Sequence, residues 1–484
     1  MLKKVSIIGT GMGSLTAGAI LAKNGWQVHF LEQNWIPGGC TTSYPRKNYV
    51  FEAGATTIVG MDDSMPLKFL LDYCQIEIPM RKLEIPMQVW ISNNSLIKYQ
   101  EIEKWIDVAK TAFEGDQEGF WKEAYRISQF VWQSSIKFLD FPPRNLKDLW
   151  SLALKSSISD VWNARFALQT TSEVMRKFKV DTPTFRQYVN EQLMITAQNK
   201  CEEVNFLFGA AALCYTNYQN FYVDGGLRNL VQPILDYTLS KGGSINFREP
   251  VVSIKSKNSH FEIITKNSSY VANNIIAGIP INNLVELMDS TSVVKNSSIM
   301  KSCELNSAFQ LGIAFKPHRK FDSLHHQIHL EKPLAHLQAN SIFVSLSHPD
   351  DTTRSDDQET CIASVSTHWP NPGNIQIETD MLEKEILDTL EQNGFLKKEN
   401  IIFSHSSGPK SWQKWTGRKW GFVGGYPQFQ KIKPWQMNET RILGKGIYLT
   451  GDSVYPGQGI PGVTLSGIIA ARKLMKDAGK KVDF

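Results

Sequence analysis

The sequence predicts an α/β fold in which one sheet domain is assembled from three separate parts of the chain, with an α+β domain inserted between them. A strand, a glycine turn, a helix and a second strand open the chain within residues 5–32. The same alternation returns at residues 224–277 after a long helical stretch, and a strand, a glycine turn and a helix close the chain over residues 445–476. Such βαβ alternation is typical of a parallel sheet covered by helices.

The length of 484 residues allows two or three domains, or one large discontinuous one. Amphipathic patterns rich in aromatic side chains follow the first βαβ unit, and short β-like runs with one helix near residues 380–392 precede the last. We assign the sheet domain to residues 1–71, 220–299 and 440–484, and the inserted domain to residues 72–219, which are mostly helical, and 300–439, which mix strands and helices.

Composition excludes several classes of protein. Lys and Arg exceed Asp and Glu by 52 − 47 = 5, and the lysines are scattered, so charge alone predicts neither nucleic-acid binding nor an anionic-membrane patch. Six cysteines without a C-x-x-C pair argue against a disulfide scaffold or a zinc ribbon.

The apolar run at residues 5–8 is broken by glycines and is predicted as a strand, not a leader. The charge-free stretch at residues 204–223 carries too many polar side chains for a membrane span. We therefore expect a cytoplasmic protein.

A dinucleotide-binding fingerprint follows the first strand. Gly9 permits a tight turn, and Gly11 lets the backbone approach a pyrophosphate at the N-terminus of the next helix. The third position is Ser14 instead of glycine; it is small enough for close helix–strand packing, and Gly13 beside it keeps the turn open. Glu32 ends the second strand, where it can accept hydrogen bonds from a ribose. The combination predicts a Rossmann-like nucleotide site.

Two further glycine motifs point to a flat ligand. Gly38 and Gly39 follow Glu32 and let the backbone pass tightly against such a ligand. At the other end, Gly451 and Asp452 close a strand, and the run from Gly457 to Gly462 leads into a helix of small residues. Its Pro461 suits a first helical turn, where a missing N–H costs nothing.

These motifs together resemble the flavoprotein family of amine oxidases and phytoene desaturases, and in particular its branch of carotenoid desaturases and carotene isomerases. The resemblance covers roughly residues 1–60, 220–280 and 400–475, where segments around Tyr222, Trp415 and Tyr426 also match. It implies FAD as the cofactor and does not identify a catalytic residue. The cofactor-binding residues it implies are Gly9, Gly11, Gly13, Ser14, Glu32, Gly38, Gly39, Val252, Gly451, Asp452, Gln458, Gly459 and Ile460.

The resemblance implies an FAD-dependent oxidoreductase acting on a long isoprenoid polyene, by desaturation or by cis/trans isomerisation. A polyene saturase and a flavin amine oxidase are the alternatives. A non-enzymatic prenyl-binding protein of the same fold would not need Glu32 and Asp452 intact. We expect an apolar small-molecule partner and no nucleic acid. The oligomeric state, the catalytic base and the electron acceptor are not predicted.

Two further sequence features lead to expectations about a membrane and about metal. The aromatic side chains of residues 120–162 fit the core of amphipathic helices, the wall of a long apolar tunnel, or a face that rests on a bilayer, the last of which would make the protein peripheral to a membrane. Five histidines lie between His318 and His336, two of them, His325 and His329, four residues apart. Their surroundings suggest loops and strand ends, so we expect no metal site.

Overall fold

The computed structural model describes residues 3–54, 56–91, 94–257, 259–288, 299–374, 377–441, 446–482 and 484. Lys445, where the closing strand was predicted to begin, lies outside them. The strands are β1 Lys4–Ile8, β2 Gln27–Leu31, β3 Ser43–Arg46, β4 Tyr49–Glu52, β5 Arg81–Lys82, β6 Met87–Ile91, β7 Asn94–Lys98, β8 Phe221–Tyr222, β9 Ser244–Asn246, β10 Val251–Ser256, β11 Phe261–Thr265, β12 Ser269–Ala272, β13 Ile275–Ala277, β14 Asn306–Phe315, β15 His325–His329, β16 Ser341–Leu346, β17 Cys361–Pro370, β18 Ile401–Ser407 and β19 Ile447–Leu449. The helices are α1 Met12–Lys23, α2 Pro66–Cys74, α3 Ile102–Ala112, α4 Gln117–Lys137, α5 Leu146–Lys155, α6 Ile158–Ala164, α7 Thr171–Lys177, α8 Pro183–Ala197, α9 Phe206–Leu213, α10 Arg228–Ser240, α11 Ile281–Leu287, α12 Thr379–Gln392, α13 Pro409–Thr416 and α14 Ile460–Asp477.

A five-stranded parallel sheet carries the nucleotide-type motifs. Its order is β19-β13-β1-β2-β9, so strands from both ends and the middle of the chain lie side by side. Helices α1 and α14 pack closely over it: a Cβ on Gly467 would lie 2.3 Å from the carbonyl oxygen of Gly13. This contact buries apolar side chains of both helices, which is the main driving force for their association. The predicted α/β fold with a discontinuous sheet domain is confirmed.

A seven-stranded sheet forms the second layer, in the order β18-β14-β17-β16-β15-β6-β7. Helix α12 covers one face, with Leu382, Ile386 and Leu390 buried at helical spacing. The β6–β7 hairpin comes from the segment predicted to be mostly helical, and β6 pairs in parallel with β15 from far along the chain. The division into five segments otherwise stays a prediction.

Helices α3, α4, α7, α8 and α9 enclose an aromatic core. Trp105, Trp121 and Tyr188 are fully buried there together with Phe120 and Phe185. In contrast, Trp150 and Trp162 of the same predicted aromatic segment are exposed. The aromatic residues 120–162 therefore contribute to the core and also include exposed tryptophans, and contact with a bilayer stays a prediction. Within the described residues, no helix combines the length and the apolar character needed to cross a membrane.

Candidate flavin site

The first glycine turn leaves open space where a ligand is expected. Gly9 has a φ of +83°, which favours glycine, and Gly11 is the N-cap residue of α1. A Cβ on Gly11 would meet no protein atom within 4 Å. The loop with Gly38 and Gly39 lies against this turn, since the Gly38 N–H donates to the carbonyl oxygen of Thr10 at 3.0 Å. The N-terminus of α1 thus has room for an anion such as a pyrophosphate.

Gly13 and Ser14 fix the turn to its surroundings. A Cβ on Gly13 would lie 2.4 Å from Thr450 Oγ1 and 2.9 Å from the carbonyl oxygen of Val463. Ser14 lies against Gly278, where a Cβ would come within 1.8 Å of Ser14 Oγ. Ser14 therefore packs where the fingerprint usually has glycine, and the facing strand end supplies the missing glycine instead.

Glu32 ends β2 in a buried position beside the turn. Its carboxylate accepts hydrogen bonds from the Thr10 N–H at 2.8 Å, from Thr10 Oγ1 at 2.5 Å and from the Asn34 N–H at 2.8 Å. Burial raises the pKa of the Glu32 carboxyl above its ordinary value, while these hydrogen bonds act in the opposite direction. Thr10, a variable position of the fingerprint, therefore holds the acid in place, and sequence reasoning gave it no role.

Val252 lies next to this region on a different sheet. It sits in β10 at a shift in register against β11, and its side chain is 45% exposed. The nearby Glu249 N–H donates to the carbonyl oxygen of Glu32 at 2.8 Å, which joins this segment to the end of β2. A contact between Val252 and a cofactor would therefore involve its backbone.

The last glycine motif contains an ion pair. Arg418 Nη1 lies 2.8 Å from Asp452 Oδ2, and both side chains are mostly buried. Gly451 before it has a φ of +109° and open space where a Cβ would stand. Gly459, with a φ of +83°, caps the N-terminus of α14, whose first residue Ile460 is buried. The predicted residues of this motif thus border a second open helix N-terminus.

Helix α13 contacts the loop that contains Gly38 and Gly39. Trp415 Nε1 donates to the carbonyl oxygen of Gly39 at 3.0 Å. The Trp415 carbonyl oxygen in turn accepts from Gln33 at 2.8 Å and from Asn34 at 2.7 Å, next to Glu32. The sequence motif that contains Trp415 and Arg418 was recognised only by resemblance; the structure gives both residues a positioning role.

One face of the seven-stranded sheet is polar and buried; we call it the inner wall. His325 Nδ1 lies 2.8 Å from Ser345 Oγ, and Ser345 Oγ donates at 2.7 Å to Thr56, just past β4. At its far end, His368 lies 3.3 Å from Gln198 Nε2. Because successive side chains of a strand point to opposite faces, the polar residues of the inner wall are His325, Gln327, His329, Ser341, Ser345, Ser364, Ser366 and His368, and Phe343 and Ile362 lie among them on the same face.

Two glutamines, Gln198 and Gln458, lie between the inner wall and the last glycine motif. A Cβ on Gly424 would lie 2.5 Å from Gln198 Nε2 and 2.9 Å from Gln458 Oε1. Gln458 Nε2 also donates to the carbonyl oxygen of Ile195 in α8 at 3.0 Å. The wall thus extends from the region of Thr56 to the start of α14.

Of the five histidines expected in loops and strand ends, His318 and His336 lie in loops, whereas His325, His326 and His329 belong to β15, and His325 and His329 face the inner wall. The whole of β15 is buried, and burial lowers the pKa of His325 and of His329 to about 4. The side chain of His326 points to the opposite face and accepts from Trp90 Nε1 at 3.2 Å. In the part of the chain that the structure describes, no three histidine, cysteine or carboxylate side chains converge as metal ligands would.

The geometry fits FAD. Gly11 and Gly451 leave room for close backbone approach, the helix N-termini at Gly11 and Gly459 can each receive an anionic group, and the buried Glu32 is a carboxylate acceptor beside the first of them. A discontinuous Rossmann-like sheet with these features and an inserted domain defines the class of FAD-dependent oxidoreductases. The family model of flavin-containing amine oxidoreductases matches residues 15–475, and the chain belongs to that family. The predicted cofactor and enzyme class are confirmed.

Relatives within this family have names drawn from carotenoid chemistry. The chain is 22% identical over 499 residues to the chloroplastic prolycopene isomerase of Daucus carota, covering 98% of this chain and 80% of the relative. It is 21% identical to the 4,4'-diapolycopen-4-al dehydrogenase of Metabacillus indicus, covering 99% and 98%. Putrescine oxidase bound to putrescine superposes with a TM-score of 0.64 at 13% identity, covering 99% of this chain and all of that one, which shows the shared fold alone.

Proposed function

We propose that this FAD-dependent oxidoreductase acts on a long isoprenoid polyene, by desaturation or by cis/trans isomerisation. The observation that carries the proposal is the neutral character of the inner wall. His325 and His329, with pKa values lowered to about 4, are uncharged at pH 7. Glu191 contacts the wall by accepting from Ser341 Oγ at 2.6 Å, and burial raises the pKa of its carboxyl. A protonated amine would lack an exposed counter-charge here, whereas a neutral hydrocarbon needs none.

The two carotenoid-related relatives support the same substrate class, because each is named for a polyene of this kind and each aligns over nearly the whole chain. Bound FAD would supply the hydride acceptance or electron donation that no side chain can. The protein's own contribution is to orient the polyene along a buried surface and to exclude water. Saturation of a double bond is the third outcome that the same machinery allows.

The residues that hold FAD form part of the proposal. The turn from Gly9 to Ser14 cradles the pyrophosphate, with Glu32 on the ribose and the glycine pair against the ligand. The backbone at Val252 completes the contacts at the nucleotide end. Gly451 and Asp452 lie along the ribityl region, and the N-terminus of α14 with Gln458, Gly459 and Ile460 lies at the flavin edge.

The test uses the flavin-loaded enzyme with defined substrates. Polyene precursors in detergent, followed by chromatography and mass spectrometry, distinguish loss of two hydrogens, equal mass with shifted retention, and gain of two hydrogens. Amines are tested in parallel by peroxide release. Unchanged polyenes together with peroxide from an amine would replace the proposal with the amine-oxidase alternative.

The variant Gln458→Ala probes the flavin edge. It removes a polar group that contacts α8 and leaves the proposed pyrophosphate contacts intact. We expect bound flavin in normal amount and an altered reduction potential or turnover. An exposed glutamine on α10, Gln232→Ala, is the control and should change neither.

We include peripheral contact with a membrane in the proposal, because a polyene substrate partitions into bilayers. The notable exposure of Trp150 and Trp162 supports it. Association without a span predicts that the protein is released from membranes by detergent.

A further inference from the structure

Helices α5 and α6 and the residues after them present a continuous set of large apolar side chains to solvent. Leu146 is 84% exposed, Trp150 71% and Ile158 91%. Eight of the fourteen exposed large hydrophobic side chains among the described residues lie within 23 positions of the chain. These eight, which we call the α5–α6 face, are Leu146, Leu149, Trp150, Leu154, Ile158, Val161, Trp162 and Leu168.

Both helices pack against the rest of the protein through their polar sides. In α5 the buried residue is Asp148, which lies 3.5 Å from Arg441 Nη1, while Ser151 Oγ donates to Asp140 at 2.7 Å. In α6 the buried residue is Asn163, which accepts from Arg126 Nη1 at 2.8 Å.

A surface helix of a water-soluble domain normally does the reverse, with its apolar stripe on the core. Exposed apolar side chains clustered in this way on two successive helices are typical of an interaction site. Because polar contacts attach the inward sides of α5 and α6 to the protein, their apolar sides are left for contact with another molecule.

The charges around the face have one sign. Within residues 141–169 every exposed ionisable side chain is a cation: Arg144, Lys147 and Lys155. The two acids of this stretch are turned away, Asp148 into the protein and Asp160 to Lys137, whose Nζ lies 2.6 Å from it. Arg165 lies over the ring of Trp162, 3.9 Å from the ring centroid.

We propose that the α5–α6 face docks on a bilayer surface that contains anionic lipids. The helices would lie in the plane of the interface, with Trp150 and Trp162 at the level of the headgroups and Lys147 and Lys155 beside lipid phosphates. A second copy of the chain is a poorer occupant, because it brings the same cations to the same face and a net charge of +5. This inference names the surface for the membrane contact proposed above and does not rest on the flavin chemistry.

The experiment is co-sedimentation of the flavin-loaded protein with vesicles of phosphatidylcholine alone and of phosphatidylcholine with phosphatidylglycerol. Wild type should bind both, more tightly the anionic ones, and high salt should abolish the difference while leaving apolar binding. Trp150→Ser combined with Trp162→Ser should weaken partitioning to both by about tenfold or more. Lys147→Glu combined with Lys155→Glu should weaken binding to the anionic vesicles selectively.

The matched control is Val271→Ser combined with Met381→Ser, which removes exposed apolar side chains elsewhere and should leave binding unchanged. Flavin absorbance and the melting temperature of every variant show whether it is folded and loaded. Equal vesicle binding by wild type and the Trp variant would overturn the proposal. So would a dimer, seen by light scattering in lipid-free buffer, that the Trp variant abolishes without change in vesicle binding. If wild type binds vesicles but converts no polyene, that result would count against the proposed function alone.

Discussion

Replacing Gly11 by alanine should remove FAD without unfolding the protein. The φ of Gly11 is −60°, which alanine adopts freely, and its new Cβ would meet no protein atom within 4 Å. Alanine is a poorer N-cap than glycine by up to about 1 kcal/mol, and the gain from a less flexible unfolded chain offsets about 0.4–1 kcal/mol of that. The free energy of unfolding of the flavin-free protein should therefore change by less than about 1 kcal/mol.

The methyl group would stand where we place the pyrophosphate. Ligand at about a hundredfold over its Kd stabilises a protein by roughly 2.7 kcal/mol, and the variant should lose that gain. The assays are the flavin absorbance of purified protein and melting curves with and without added FAD. Gly13→Ala is the contrast: its Cβ would lie 2.4 Å from Thr450 Oγ1, so it should destabilise the flavin-free protein by about 1–3 kcal/mol. Full flavin content in Gly11→Ala would refute the placement of the pyrophosphate.

Three further predictions test other groups. Burial lowers the pKa of Lys98 to about 7 from 10.5, so the unfolded chain binds more protons between these values and stability rises with pH across that window. Between pH 7 and 10.5 wild type should gain about 4 kcal/mol relative to Lys98→Met, and an equal pH dependence of the two unfolding free energies, measured by urea titrations at several pH values, would contradict this. Arg418→Met leaves Asp452 buried without its cation and should cost about 3–5 kcal/mol; adding Asp452→Leu should restore stability but not flavin content. Glu32→Gln has a single acceptor oxygen, so it cannot keep the hydrogen bonds from Thr10 to one carboxylate oxygen together with the one from the Asn34 N–H to the other; it should weaken FAD binding roughly tenfold, as measured by flavin titration of the apoprotein.

Local patterns predicted the flavin end of the molecule well. The first βαβ unit and its acid follow one another within residues 4–32, so turn chemistry and periodicity suffice to find them. The β6–β7 hairpin escaped because its place depends on β15, more than 230 residues away. The strand β15 has the sequence His-His-Gln-Ile-His, which lacks an apolar face and therefore predicts loops and strand ends. In the structure it is a fully buried strand of the seven-stranded sheet. Periodicity in α5 revealed an amphipathic helix and could not tell which face would point outward.

The ion pair of Arg418 with Asp452 shows the same limit for the site. Each residue was part of a recognised motif, but a 34-residue separation hides the contact from any local pattern. The role of Trp415 on the carbonyl oxygen of Gly39 spans 376 residues and is hidden in the same way. Positioning contacts of this kind arise only once the three parts of the sheet domain have come together.

The order of strands in the five-stranded sheet has a consequence for the chain during its synthesis. Strand β19 forms one edge of the sheet, and α14 covers α1 with side chains that are buried along almost its whole length. Both elements are synthesised only after more than nine-tenths of the chain has been made. Until then, the apolar side of α1 and the edge of β13 stay exposed. A growing chain with uncovered apolar surface and an open strand edge is prone to aggregate, and pairing across such distances is slow. The five-stranded sheet and its helical cover can therefore be completed only after residues 447–477 have been made.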